Sequence, residues 1–343
     1  MKVVHMWFAL IVRAVFVAVV TAVLQSSVTV GCYTNAGRRG LLFVRDTGIW
    51  LRNQNDGRVR KIVTCGELPI WLGSQHEVGF ARYGNVYTKN LDTGSTVQLT
   101  KFNKGKYVDS AVQSMAWDPI GHAIVFSRVS EFVGHLGHSS TVHRYATTSI
   151  YWLPIKAKHV YMAIGPWEQG AVFAFSSQCG ATFSAGGTVM LFIRNGDIWL
   201  AARGDKRSAS GWNGWQWDVS RLAAVASFDD PNWHGSRDNE GALTAALSPD
   251  NKYIAYIVAR LGGSGVSKLY IAKVVRDSDG DIVGIDKYKI CPAISNACSI
   301  SWDPRDNRRL YFGTNIDGHD IYQYDCLTEQ SRLLVRNGSN PSS

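Results

Sequence analysis

One phrase occurs three times in this chain. MAWDPIGHAIVF from Met115, LSPDNKYIAYI from Leu247 and SWDPRDNRRLYF from Ser301 each set a proline turn against alternating apolar residues. Ile124 and Phe126 follow Pro119 by five and seven residues, and Ile254 and Tyr256 follow Pro249 by the same distances. In the third copy, Leu310 and Phe312 come one residue later after Pro304, which fits an enlarged turn. Proline presets φ at a turn, Asn or Gly tolerates positive φ, and alternation then gives a half-buried strand. The phrase therefore reads as a β-hairpin, and its repetition fixes the fold before any single residue is interpreted.

A second mark follows each hairpin. It is an apolar-aromatic pair opening another short strand: Ile49-Trp50, Val86-Tyr87, Ile150-Tyr151, Ile198-Trp199, Leu269-Tyr270 and Ile321-Tyr322. Polar turns such as NQNDG, LDTG, RDSDG and CLTEQ come next, each before one more strand. Every unit thus predicts four antiparallel strands, repeated about six times, which is the pattern of propeller blades. A single unit cannot bury both its faces, whereas units stacked in a ring can. The rival architecture, a β-sandwich, needs no sixfold recurrence. Uneven spacing traces to two insertions, RVSEFVGHLGHSSTVHRYATTS in the third blade and RGDKRSASGWNGWQWD in the fourth.

S-P-D-x-K-x-I-A-Y followed by x-L-Y or D-I-Y resembles the PD40 (WD40-like) repeat of TolB-like six-bladed β-propellers. The copies around Pro249 and Pro304 match well, that at Pro119 fairly, and blades one, two and four are degenerate. The likeness covers roughly Leu41 to Val335. It implies an all-β, six-bladed propeller of four-stranded antiparallel blades. It also implies a non-catalytic scaffold that presents loops to a partner protein or peptide of the cell envelope. Fold alone does not select function, because propellers host binding proteins and enzymes alike. A lyase or hydrolase acting on a glycan or lactone at the channel mouth is the alternative.

The ends of the chain read differently from its middle. Lys2 and Arg13 precede the uncharged run AVFVAVVTAVL, so an N-terminal hydrophobic signal segment is expected over residues 1–31. VTVGC, Val28 to Cys32, resembles a bacterial lipobox, with Thr29 where that motif usually has Leu. Acylation of Cys32 would tether the protein to a membrane without spanning it, and an uncleaved signal anchor is the other membrane route. Residues 32–40 then form a short link, residues 41–336 the propeller, and residues 337–343 a polar C-terminal tail. A start at Cys32 leaves little room for an innermost strand before Leu41, so either a segment from elsewhere in the chain completes that blade or cleavage falls elsewhere. The expected location is the periplasm or cell envelope, the expected state a monomer.

The formal charge is +9, and the basic residues are scattered. An exported chain of this kind points to anionic surfaces, lipids or acidic partners, not to nucleic acid. Six cysteines are compatible with disulfides after export, and Cys291 with Cys298, closing CPAISNAC, is the expected pair.

Signals for chemistry are sparse. His135, His138 and His143 in the third-blade insertion are weak metal candidates, weighed against surface histidines. Asp277, Asp279, Asp281 and Asp286 open like a calcium loop, but Ile282 stands where an EF-hand needs Gly, and a hairpin turn accounts for the run. Trp212 and Trp215 of GWNGWQWD, with Trp217, either stack on a ligand or pack between blades. DDPNWHGSRDNEG, the long link into blade five, carries Trp233, His234, Arg237 and Asp238 as candidate ligand residues at the channel mouth. Neither a G-x-S-x-G elbow, a phosphate loop nor a dinucleotide fingerprint occurs, and no cofactor is expected.

Overall fold

The computed structural model describes residues 40–74, 76–102, 112–135, 142–156, 159–164, 178–207, 215–223, 240–260, 266–314 and 319–342. The strands fall into six four-stranded antiparallel sheets, the blades of a propeller. Blade one holds β1 (Leu41–Arg45), β2 (Gly48–Arg52) and β3 (Val59–Val63). Blade two is β4 (Glu67–Trp71), β5 (Glu77–Arg82), β6 (Asn85–Asn90) and β7 (Thr96–Gln98). Blade three is β8 (Val112–Asp118), β9 (Ala123–His135), β10 (Val142–Pro154) and β11 (Tyr161–Ile164). Blade four is β12 (Gln178–Phe183), β13 (Val189–Arg194), β14 (Asp197–Arg207) and β15 (Trp215–Ala223). Blade five is β16 (Glu240–Leu247), β17 (Tyr253–Arg260), β18 (Lys268–Arg276) and β19 (Ile282–Ser295). Blade six is β20 (Ala297–Trp302), β21 (Arg309–Thr314), β22 (Ile321–Asp325) and β23 (Gln330–Val335).

The last strand, β24 (Ser339–Ser342), returns to blade one and pairs with β1 as its innermost strand. Residues expected as a polar tail are therefore part of the ring. Ser-Asn-Pro-Ser reads as tail by hydropathy, but the inner strands are rich in small polar side chains, with Ser114, Thr244, Ser299 and Ser301 all buried. A polar strand fits that wall. The Asn337 amide donates to Asp320 Oδ1 at 3.0 Å, helping to fix the turn that leads into it. The missing inner strand of blade one thus comes from the far end of the chain. Neighbouring inner strands touch all the way round, from β24 to β4, β8, β12, β16, β20 and back to β24.

The proline turns join inner strand to second strand, as their sequence requires. Asp118 Oδ1 accepts from the amides of Ile120 and Gly121 at 3.1 and 2.9 Å, and Ser248 Oγ accepts from Tyr253 N at 3.0 Å. In the longer third copy, Asp306 N donates to Asp303 O and Arg309 N to Asp306 O, so two successive turns absorb the extra residue. Blade four has no proline there; Ser184 Oγ caps Val189 N, and Gly187 takes the left-handed φ of +71°.

One aromatic pair recurs in every blade. Phe43 opposes Trp50, Phe80 Tyr87, Phe126 Tyr151, Phe192 Trp199, Tyr256 Tyr270, and Phe312 Tyr322. The second member of each is the aromatic of the repeated sequence mark. Four of these pairs stack with ring centroids 5.3–5.5 Å apart. Each pair faces the aliphatic side of the preceding blade, so the core divides into six apolar clusters, one per seam between blades. Full burial of an aromatic or branched aliphatic side chain contributes about 1.5–3 kcal/mol. The seams are therefore where the ring is held. Trp71 and Trp302 add a polar tie, each donating Nε1–H to a carbonyl of the preceding blade, Gly40 at 3.1 Å and Ala246 at 3.0 Å.

Candidate functional site

Antiparallel blades give the ring two rims. At one rim the inner strands begin and the second strands end; at the other lie the proline turns. The first rim carries a feature that comes from strand periodicity. In blades one to four, the aromatic of the second strand is followed two residues later by arginine: FVR, FAR, FSR and FIR. Residues two apart share a strand face, so Arg45, Arg82, Arg128 and Arg194 stand beside the aromatic pairs, in four consecutive seams. Register places Arg128 opposite Val112 and Arg194 opposite Gln178, the first residues of their inner strands.

Each guanidinium lies on a ring. The distances are 4.8 Å from Arg82 to Tyr87, 4.1 Å from Arg128 to Phe102, and 4.8 Å from Arg194 to Trp199. Arg45 is 5.4 Å from Phe43 and 5.6 Å from Trp50, and it donates to the Arg336 carbonyl. Such contacts contribute about 0.5–1 kcal/mol each at exposed positions and hold the group stiffly. The Nε atoms of Arg45, Arg82 and Arg128 are buried and unbonded among the described residues, and none of the three makes an ion pair there. Burial pulls Arg128 below the usual guanidinium value, against the opposing effect of Tyr151. Glu67, at the start of β4, is a carboxylate of the same rim; desolvation raises it above the ordinary carboxylate value.

At the turn rim, blades one and two enclose a cleft of about 530 Å³ lined by Gly40, Arg58, Arg60, Trp71, His76 and Asp92, among others. His76 Nδ1 lies 2.9–3.0 Å from the two carboxylate oxygens of Asp92. A carboxylate at that nitrogen orients an imidazole and suits it to proton transfer at its other nitrogen. No Ser, Thr or Cys lines the cleft among the described residues. The third-to-fourth seam holds a buried pair instead. Arg203 Nη2 donates to Asp118 Oδ1 at 2.6 Å, with side-chain exposures of 5% and 0%. Trp152 Nε1 donates to the other Asp118 oxygen at 2.9 Å, and Trp217 lies under Arg203 at 4.9 Å. That network is architectural.

The residues singled out from sequence are spread over several regions. Trp233, His234, Arg237, Asp238, Trp212, His138 and Cys32 lie outside the described residues. Trp215 opens β15 and pairs with Arg207. Trp217 packs against the third-to-fourth seam, touching Phe183 at 6.0 Å, which is the packing reading of the tryptophan cluster. The third-blade insertion extends β9 and β10 into one antiparallel ribbon. His135 pairs with Val142 and His143 with Gly134, on successive rungs of the ladder. Among the described residues no group of three or more His, Cys, Asp or Glu is placed to hold a metal. Asp277 Oδ1 accepts from the amides of Asp279 and Asp281 at 3.0 and 2.9 Å, so it organises a hairpin turn.

Cys298 requires a correction. It is a free thiol, 4% exposed at the start of blade six, and the expected bridge to Cys291 is not formed. The two cysteines belong to different blades, in β19 and β20, and Cys298 Sγ sits 3.7 Å from Ser299 Oγ. The arginine repeat, by contrast, is absent from the sequence expectations, although its signal is plain once the aromatic marks are aligned.

No protein-family model and no curated protein matches the chain. Solved structures do match. The structure of "putative TolB" from Agrobacterium tumefaciens aligns with a TM-score of 0.52 at 13% identity, covering 89% of this chain and 92% of that one. The likeness is one of fold. The chain is a six-bladed β-propeller, and that structure is among its neighbours. The β-propeller domain of Cps50 (Swd1) from Myceliophteria thermophila aligns at 0.51 with 12% identity, over 87% of this chain and 98% of that domain. The tricorn protease aligns at 0.51 with 9% identity, over 88% of this chain but only 29% of its own length. A β-propeller domain and part of a protease share the ring, so the ring selects no activity.

Proposed function

We propose that this chain is an exported, envelope-associated propeller that acts as a non-catalytic, protein-binding scaffold. The observation that supports it best is the closed ring with its stiff rim. Guanidinium groups fixed on aromatic stacks form a preset recognition surface, and preorganisation of that kind lowers the entropic cost of binding. The leader over residues 1–31, and Cys32 as an acylation point, support export and membrane tethering from the sequence side. A partner protein or peptide of the envelope would bind at a rim, with the seams as rigid backing. The link containing Trp233, His234, Arg237 and Asp238 is part of the proposal as a contact region.

The experiment is affinity capture from envelope extract with the full chain as bait, quantified against a bait carrying an unrelated propeller. Recovery of one protein in stoichiometric amount is expected. Equal recovery on both baits would remove the reading. A second reading, a lyase or hydrolase, has the His76–Asp92 pair in its favour. Turnover of a glycan or lactone panel that disappears in His76→Ala would establish it in place of the scaffold.

A further inference from the structure

We propose that the three seams holding half-exposed arginine, those of Arg45, Arg82 and Arg128, form one recognition arc for an extended acidic segment of a partner protein. This inference rests on the scaffold reading and gives the partner its chemistry. Three observations carry it. First, Arg45, Arg82 and Arg128 occupy the same register in consecutive blades, so they lie along one rim; Arg194 continues that register but is 8% exposed. Second, Arg45, Arg82 and Arg128 are half-buried and have no carboxylate partner among the described residues. Third, packing does not require arginine at this register. Blade five places Val258 there, 5% exposed, and blade six Thr314, 9% exposed, and both seams close.

The form of the ligand is set by the spacing. Each arginine sits in a different seam, one blade from the next, so a single small anion does not reach them all. A chain with carboxylates along its length does. Guanidinium edges pair with carboxylates in a two-pronged geometry that a point charge lacks. The rings occupy the faces of the Arg82 and Arg128 guanidinium planes, at 4.8 and 4.1 Å. A flat anionic membrane is the poorer fit, because these groups are recessed between blades while a bilayer is best met by protruding lysines. The arc ends where the register is buried, at Arg194 on one side and Thr314 on the other, so the segment is expected to lie over blades one to three and to leave blades four to six uncovered.

The test uses the full chain and a fluorescent peptide of ten glutamates, read by anisotropy at two salt concentrations. Saturable binding that weakens as salt rises is expected. Replacing Arg82→Gln and Arg128→Gln together should raise Kd tenfold or more. The matched pair Arg58→Gln and Arg60→Gln on the opposite rim should change it less than twofold. Arg82→Lys with Arg128→Lys keeps the charge but loses the two-pronged edge, so binding should weaken by about threefold to fivefold, less than in the double Gln chain. Should the double Gln chain fail to fold, Arg82→Gln alone is expected to lose threefold or more. No saturable binding, or equal losses on the two rims, overturns the arc. So does recruitment to phosphatidylglycerol vesicles that needs Arg82 and Arg128 while the peptide is ignored. A partner captured from envelope extract regardless of these arginines sinks the arc but leaves the scaffold reading standing. Peptide binding through the arginines with no partner captured does the reverse.

Discussion

Blades one to four and blades five and six solve the same packing problem with different residues. All six bury an aromatic pair against the blade before, and the stacks in blades five and six, at 5.3 and 5.4 Å, are as close as those in blades two and three. The difference lies two residues beyond the second-strand aromatic. Val258 and Thr314 disappear into their seams, as does Arg194 in blade four, whereas Arg45, Arg82 and Arg128 are held on the rings with part of each side chain in solvent. Two seams therefore show that the fold closes without arginine. A feature the fold does not need, repeated four times at one rim and left half-exposed in three of them, is where recognition should be sought.

The harshest way to break the comparison is to open the ring where its two halves meet. Deleting residues 338–343 removes β24 and strips blade one of its inner strand. Several buried side chains lose cover at once, so the unfolding midpoint should fall by about 10 °C or more, at roughly 2–4 °C per kcal/mol for a large domain. Calorimetry checks this. A single sharp transition at the parental midpoint would mean that β24 is a dispensable tail.

Next in size are the seam interiors. Arg203→Ala leaves Asp118 buried without its cation, which should cost about 3–5 kcal/mol in urea unfolding. Phe312→Ala, in a seam without arginine, should cost a similar 3–5 kcal/mol, roughly, through the cavity it leaves. Near-equal losses would show that both halves are held by seam packing. The rim arginines should matter far less. Arg82→Gln gives up two cation–ring contacts, to Tyr87 at 4.8 Å and Tyr83 at 5.8 Å, about 0.5–1 kcal/mol each. Val258→Arg pushes a longer side chain into a filled site and should cost about 1–3 kcal/mol. If Arg82→Gln were instead the more damaging of the two, the arginines would be structural keystones.

The contrast between blades also explains what the sequence can and cannot reveal. Strand order and blade number are legible because the aromatic pair and the proline turn are local and repeat. Blades two and four look degenerate since Gly73 and Gly187 supply the positive φ that Pro-Asp-Asn supplies in blade five. The tail 337–343 misleads because polarity usually means solvent, whereas Asn340 and Ser342 are buried in a polar channel wall. The third-blade insertion shows no continuous strand pattern because its alternation is interrupted by Gly134 and by the LGHSS stretch, yet β9 and β10 stay paired out to His135 and Val142. For the site, the arginines are individually visible and collectively hidden. Their meaning depends on register, which places residues from four blades at one rim and which no single window of sequence contains.

The smallest effect concerns two thiols near the starts of inner strands. Cys65 precedes β4 at the arginine rim, half-exposed and 3.7 Å from Tyr83 Oη, while Cys298 lies at the start of β20 beneath the arginine-free seams. Burial pushes the Cys298 thiol up to about 11, with the Ser299 hydroxyl opposing only in part. At roughly pH 8.5, iodoacetamide followed by peptide mapping should modify Cys65 at least tenfold faster than Cys298, since Cys65 is reachable while Cys298 is buried and keeps its proton. The same shift has a sign for stability. The folded chain keeps a proton on Cys298 that the unfolded chain releases from about pH 8.5 upward. Stability should then fall as pH rises from there towards about 11, and Cys298→Ala should flatten that decline. Equal labelling of the two cysteines, or recovery of Cys291 and Cys298 joined in one peptide, would show that the sixth blade is not sealed at this end, and the difference between the two halves of the ring would have to be redrawn.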